Sequence, residues 1–256
     1  MRIGVIGGSA FPSNWNTWEG FERATDLDIK ASTLDDSELG EPSADLQGVL
    51  CGNSELLFLA RHGPQHHLLP AEINYRANLR LLADARVEAI IATHTVGGID
   101  SALPVGGLVL PHQVIDYTWG REHTYAGNGD ITHVEFDEPF NRALINNLVR
   151  VARKQSLRVI EGGVYGATQG PRFESPAEID RYERDGATLV GMTAMPEAAL
   201  AAELAVPYAS LSLVVNPAAG RGVIELEAIH AAGREGMAQI QSLLRGLLQQ
   251  GELLQQ

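Results

Sequence analysis

An α/β fold, a single domain with a central mixed β-sheet flanked by helices, is predicted by this 256-residue sequence on three observations. Short apolar runs alternate with longer helix-like segments. Most of the runs are apolar on both faces, as strands covered by helices on each side are. Proline opens three of the helical segments, where its missing N–H goes unneeded.

The elements follow in order. Strands are expected at residues 3–6, 55–60, 89–94, 107–110, 163–168 and 208–215, each too short for a buried helix. Helices are expected at 74–85, 139–155, 176–185, 196–204 and 224–250, with Pro139, Pro176 and Pro196 in first turns. The polar region 33–53 and the segment 117–130 read as surface loops. No internal repeat or low-complexity linker interrupts residues 1–256, and the length suits one core. One domain is the expectation.

Bulk properties narrow the partners. A net charge of −13 argues against a nucleic-acid backbone or an anionic membrane. Any anion must then be held by local donors. The single cysteine, Cys51, cannot form an internal disulfide or a cysteine-based zinc site, which fits a reducing cytoplasm. Met1-Arg2 runs directly into an apolar strand, so no signal peptide is expected. The uncharged run 204–220 is broken by Pro207 and Pro217, so no transmembrane helix is expected.

Chemistry concentrates in a few segments. In Gly170-Pro171-Arg172-Phe173-Glu174-Ser175 an aromatic face stands beside an anionic acceptor, a pairing that suits a flat, nitrogen-rich ring. Gly7-Gly8-Ser9 after the first strand and Arg61-His62 after another look made for an anion. A purine-sized site beside a phosphate-sized one points to phosphorolysis of a nucleoside.

The chain resembles the trimeric purine nucleoside phosphorylase and methylthioadenosine phosphorylase family. Ile3-Gly4-Val5-Ile6-Gly7-Gly8-Ser9, Leu59-Ala60-Arg61-His62-Gly63, Asn74-Tyr75-Arg76-Ala77-Asn78, residues 170–174, residues 192–197 and Tyr208-Ala209-Ser210 carry the resemblance over nearly the whole length. It implies that Ser9, Arg61, His62, Thr193 and the His94-Thr95 turn hold phosphate, Arg61 through a fork of N–H donors. His94 departs from the family pattern, which carries a smaller residue there. The resemblance also implies a homotrimer, or a dimer of trimers, in which His133 reaches a neighbouring subunit's site. It implies no cofactor and no metal; phosphate is a co-substrate.

The base pocket sets the expected substrate. An ionised Glu174 accepts from the N1–H of a 6-oxopurine and offers nothing to the bare N1 of adenine. Asn216 stands where adenine-selective members carry Asp, and Ala218 replaces their second acid. Pro217 between them is unusual for the family. Met192 would floor the ribose, with His66 at the sugar's end, while Asn216 and His62 are the expected catalytic side chains. Aligning on Ala231-Ala232-Gly233 puts Leu226 where nucleoside-preferring members carry a His for the 5′-hydroxyl. Leu226 and Ile229, three apart on one helix face, would suit a 5′-methylthio group, whereas a slip of register would bring in His230. Methylthioinosine is therefore the expected substrate, with general inosine/guanosine or methylthioadenosine phosphorolysis as alternatives.

Three readings lie outside the class. A dinucleotide-binding oxidoreductase would use the first turn with Asp26 or Asp28, but the G-x-G-x-x-G spacing is absent. A metallohydrolase would use His62, His66 and His67, but Gly63 and Pro64 break a regular helical presentation. A non-catalytic nucleoside-binding protein would bind substrate without releasing base.

Overall fold

Residues 1–8, 20–23, 39–127 and 133–253 are described by a computed structural model of the chain. The Ser9 expectation and the Asp26/Asp28 alternative lie outside the described residues. The strands are β1 (Arg2–Gly7), β2 (Glu22–Arg23), β3 (Gln47–Cys51), β4 (Ser54–Ala60), β5 (Ala89–Gly98), β6 (Leu108–Leu110), β7 (Gln113–Asp116), β8 (Val159–Glu161), β9 (Val164–Ala167), β10 (Leu189–Gly191) and β11 (Tyr208–Pro217). The helices are α1 (Tyr75–Asp84), α2 (Arg142–Lys154), α3 (Pro176–Asp185), α4 (Ala194–Glu203) and α5 (Leu226–Gln250).

All the strands join one mixed sheet, and β5 is its hub. One edge of β5 pairs with β1 in parallel and then, further along, with β10 in antiparallel fashion. Its other edge pairs with β11 in parallel over nearly its whole length. On the far side of β1 lies parallel β4, then antiparallel β3. Because β1, β4, β5 and β11 run the same way, their carboxyl ends open on one side. That is where ligands gather in open α/β sheets.

Local chemistry explains the helix starts. Asn74 and Asn141 each accept a backbone N–H of the first turn through their side chains, capping α1 and α2. Ser175 and Glu178 form a capping box on α3, with Pro176 in its first turn and Gly186 left-handed at its end. Pro139 is not in a first turn: Asn141 caps α2 instead, so the expected start at 139 is corrected. The expected surface loop 33–53 is corrected too. Its residues 47–51 form β3, with Val49 fully buried against β4, because the run alternates and needs only one apolar face.

Helix α5 packs its apolar stripe, Ile240, Leu243, Leu244 and Leu247, into the core and thereby fixes the position of its first turns. Gly236 makes this approach possible, since a β-carbon there would overlap the side chain of Leu213 on β11. Leu213 is itself 1% exposed and has nowhere to retreat. Gly236→Ala, which adds helix propensity, is therefore expected to destabilise the protein by about 1–3 kcal/mol through overpacking. Thermal denaturation checks it: a Tm at or above that of the unsubstituted protein would show that α5 can shift outward.

Candidate active site

The carboxyl ends of the parallel strands border a cavity of about 510 Å³, within the size range of small-molecule sites. Gly8 follows β1, Arg61 and His62 follow β4, residues 94–97 lie in β5, and Asn216 lies in β11. The loop before α3 brings Phe173 and Glu174, and the segment entering α4 brings Met192 and Thr193. Thus twelve expected residues, Arg61, His62, His66, His94, Thr95, Phe173, Glu174, Met192, Thr193, Asn216, Ala218 and Ile229, meet in one cavity.

Arg61 is fully buried and forms a two-pronged pair with Glu197, Nε to Oε1 at 2.5 Å and Nη2 to Oε2 at 3.0 Å. Its Nη1 donates to the Thr93 carbonyl at 2.9 Å. Burial would lower the pKa of the guanidinium, but Glu197 more than offsets this and holds it above its ordinary value. The expected use of the Arg61 fork is corrected here: the fork belongs to Glu197. Of five guanidinium N–H groups, these three bonds leave two for an anion. Gly8 admits the guanidinium, because a β-carbon there would stand 2.9 Å from Nη1.

Two histidines are held neutral. His62 has its pKa pushed down to about 4 by burial and by neighbouring Arg61. Its Nδ1–H donates to the Leu68 carbonyl at 2.8 Å, leaving Nε2 as an acceptor. His94 is likewise held well below the ordinary imidazole value, by full burial and then by Arg61 and His62. Both of its ring nitrogens are engaged, Nδ1 with Thr193 Oγ1 at 2.9 Å and Nε2 with Tyr208 Oη at 3.2 Å. The ring of His94 therefore reaches an anion only through Thr193, which corrects its expected direct role.

On the side of the cavity formed by the loop before α3, Glu174 accepts from Thr168 Oγ1 at 2.7 Å through one oxygen, leaving the other free for a ligand. The helix-capping carboxylate nearby is Glu178, so Glu174 has no structural duty at the α3 start. Asn216 sits beyond a register shift between Val214 and Asn216, a bulge that re-aims its side chain. Its Nδ2 donates to the Pro217 carbonyl at 2.7 Å, which fixes the amide and leaves Oδ1 open. Pro217 itself does not line the cavity, and neither does exposed His133. At the far end Ile224, Ile229, His230 and Arg234 form the wall. The side chain of Leu226 lies outside the described residues. Ile229 and His230 both face the cavity, so the expectation that His230 stays out is corrected. Adjacent residues on the first turns of a helix can share one broad opening.

Three participants escaped the sequence reading. Glu197 and Tyr208 lay inside recognised motifs, yet nothing local marked them as partners of Arg61; Tyr208 Oη donates to Glu197 Oε2 at 2.8 Å. Arg121 lay in a segment read as surface loop, but it is buried. It donates to the carbonyls of Met192, Met195, Thr168 and Gln169, tying together the two segments that carry Glu174 and Thr193. Among the described residues no three His, Cys, Asp or Glu side chains converge as a metal site, the His62, His66 and His67 stretch included. Nor is any helix among them long and apolar enough to cross a membrane.

The depressed His62 pKa has a consequence for stability. Between pH 6.5 and about 4 the unfolded chain binds a proton there that the folded chain refuses. Stability must therefore fall as pH drops through that window, by up to about 3 kcal/mol from this group. His62→Gln should flatten the dependence in urea titrations across the window, and an identical slope in both proteins would contradict the burial argument.

The comparisons with known proteins agree with this geometry. The sequence profile of the phosphorylase superfamily matches residues 22–249. A relative from Pseudomonas syringae called probable S-methyl-5'-thioinosine phosphorylase is 44% identical over 90% of this chain and 95% of its own. A relative from Pyrococcus furiosus called 6-oxopurine nucleoside phosphorylase is 36% identical over 86% of this chain and 80% of its own. Among solved structures, methylthioadenosine phosphorylase from Schistosoma mansoni in complex with adenine superposes with a TM-score of 0.84. It is 27% identical and covers 98% of this chain and 92% of its own. With that profile spanning most of its length and relatives this similar, the chain belongs to the phosphorylase superfamily.

Proposed function

We propose that the protein cleaves a 6-oxopurine nucleoside with phosphate, the preferred substrate being S-methyl-5'-thioinosine and the products hypoxanthine and 5-methylthioribose 1-phosphate. The observation that carries this reading is that Glu174 and Asn216 face the same cavity as Arg61 and Thr193. The free Glu174 oxygen accepts N1–H of the base; N7, bare in the bound nucleoside, takes a proton from solvent as the purine departs, and Asn216 Oδ1 accepts that N7–H. A phosphate oxygen attacks C1′ as the C1′–N9 bond breaks, and that bonding pair moves onto the base. Fixed donors and acceptors then stabilise charge without reorganising, and the bound phosphate is already positioned. The reading needs no cofactor and no metal.

Ile224 and Ile229 offer apolar surface to a 5′-methylthio group, and relatives called probable S-methyl-5'-thioinosine phosphorylase support this choice. A second reading, general 6-oxopurine nucleoside phosphorolysis, is favoured by His230, which offers a 5′-hydroxyl a partner. Relatives named for that activity support it as well. A homotrimer, alone or paired into a dimer of trimers, gives exposed His133 a neighbouring cavity to complete. A cytoplasmic enzyme of purine salvage fits the one free cysteine.

The test is phosphate-dependent release of base from methylthioinosine, methylthioadenosine, inosine and adenosine under identical conditions. Methylthioinosine should exceed methylthioadenosine in kcat/KM by about 100-fold or more, since adenine leaves Glu174 facing an unprotonated nitrogen. Equal rates would overturn the base assignment. Glu174→Gln should lower turnover of the 6-oxopurine strongly. For the 5′ end, His230→Ala should leave the methylthioinosine rate intact. If it abolishes inosine turnover while inosine is the better native substrate, the second reading replaces the first.

A further inference from the structure

We propose that His94 makes the Thr193 hydroxyl a hydrogen-bond acceptor, so that the anion pocket selects oxyanions carrying a proton: hydrogen phosphate is held and sulfate is rejected. The inference rests on the phosphorolytic reading of the cavity and adds a selectivity that the reading does not require.

The direction of each bond follows from the carboxylate end. Glu197 only accepts, and it does so from Arg61 and from Tyr208 Oη, the latter at 2.8 Å. A phenol has one proton, so Tyr208 Oη must accept on its other side. His94 Nε2, at 3.2 Å, is therefore the donor. Burial beside Arg61 and His62 keeps the imidazole neutral, so its one proton is on Nε2 and Nδ1 is bare. Thr193 Oγ1, 2.9 Å from Nδ1, must then donate to it. The hydroxyl proton is committed to His94, and what Thr193 offers the cavity is its lone pairs. Two further facts fit. Thr193 is the cap residue of α4, yet its side chain bonds no helix N–H. The His94 ring is held by an edge contact with Tyr165, centroids 5.5 Å apart.

An acceptor inside an anion pocket discriminates by proton content. Hydrogen phosphate places its P–O–H on Thr193 and its bare oxygens on the two free Arg61 N–H groups. Sulfate at neutral pH has no proton, so one of its oxygens would meet a lone pair. His62 Nε2 is a second acceptor in the same cavity and acts in the same direction. His94 and Tyr208 are positioning residues here, since they act through Thr193.

The experiment measures inorganic sulfate as a competitive inhibitor against phosphate in nucleoside phosphorolysis, read as sulfate Ki over phosphate KM. The native enzyme should give a ratio of about 50 or more. Tyr208→Phe removes the acceptor that fixes the His94 tautomer, and His94→Asn offers Thr193 an N–H. Either change frees the Thr193 proton for an anion, so both should lower the ratio by about tenfold. Arsenate, which carries a proton, should remain a substrate in all three. A merely structural role would change turnover or move both constants together while leaving the ratio alone. If one variant fails to fold, the other decides. A native ratio within a few-fold of unity, or a ratio unmoved in the folded variants, overturns the inference while phosphorolysis stands. Absence of any phosphate-dependent base release would remove the reading beneath it and the inference with it.

Discussion

The Arg61–Glu197 pair is fully buried, and the anion end of the cavity is organised around it. A lone guanidinium could not stay charged there at tolerable cost; a lone carboxylate would fare no better. Together they satisfy each other, with the Thr93 carbonyl and the Tyr208 hydroxyl completing the set. The pair joins the residue that follows β4 to one in α4, 136 positions apart in sequence, and so ties the sheet to the helix that Thr193 caps. What remains on Arg61 is a small, fixed number of donors, already desolvated beside the cavity. Such preorganisation is how a strongly acidic protein holds a phosphate without a broad basic surface.

The rest of the site is arranged by similar buried contacts. Arg121 collects backbone carbonyls from the two cavity-lining segments that carry Glu174 and Thr193, and so holds them in register. The bulge in β11 turns Asn216, and the bond to the Pro217 carbonyl fixes its amide. At the Arg61 end of the cavity, neutral histidines sit beside a permanent cation, so the positive charge is supplied by Arg61 and the acceptors by imidazole. The side formed by the loop before α3 is simpler: a carboxylate relieved of capping duty, and an exposed aromatic ring, Phe173.

Much of this was legible in the sequence, and what was not has physical causes. Strands β1, β4, β5 and β11 announced themselves because they are apolar on both faces. Strands β2, β3, β7, β8 and β10 did not, because short or alternating segments look like loops until a neighbour pairs with them. Pro176 marked the start of α3 correctly, whereas Pro139 misled because Asn141 two residues later is the better cap. Site residues in turns, such as Glu174 and Arg61, were visible from their chemistry and their motifs. Their partners were not: the Arg61–Glu197 and His94–Tyr208 pairings are tertiary, and no spacing encodes them. Arg121 was lost for the same reason, since a cation that bonds backbone carbonyls and the Tyr75 hydroxyl leaves no complementary acid to find.

The central claim is that one buried pair does two separable things, stabilising the fold and presenting donors to phosphate. Both residues can be replaced at once by apolar side chains, Arg61→Met with Glu197→Leu. Stability and phosphate-dependent kcat/KM are then compared with those of the two single variants. Removing one partner strands a buried charge and should cost about 3–5 kcal/mol of stability, while the double replacement should recover most of that loss. Phosphorolysis should stay depressed by about 100-fold or more in the double variant, because the Arg61 donors to the anion are gone. A double variant that is both stable and near native in phosphate kinetics would contradict the account.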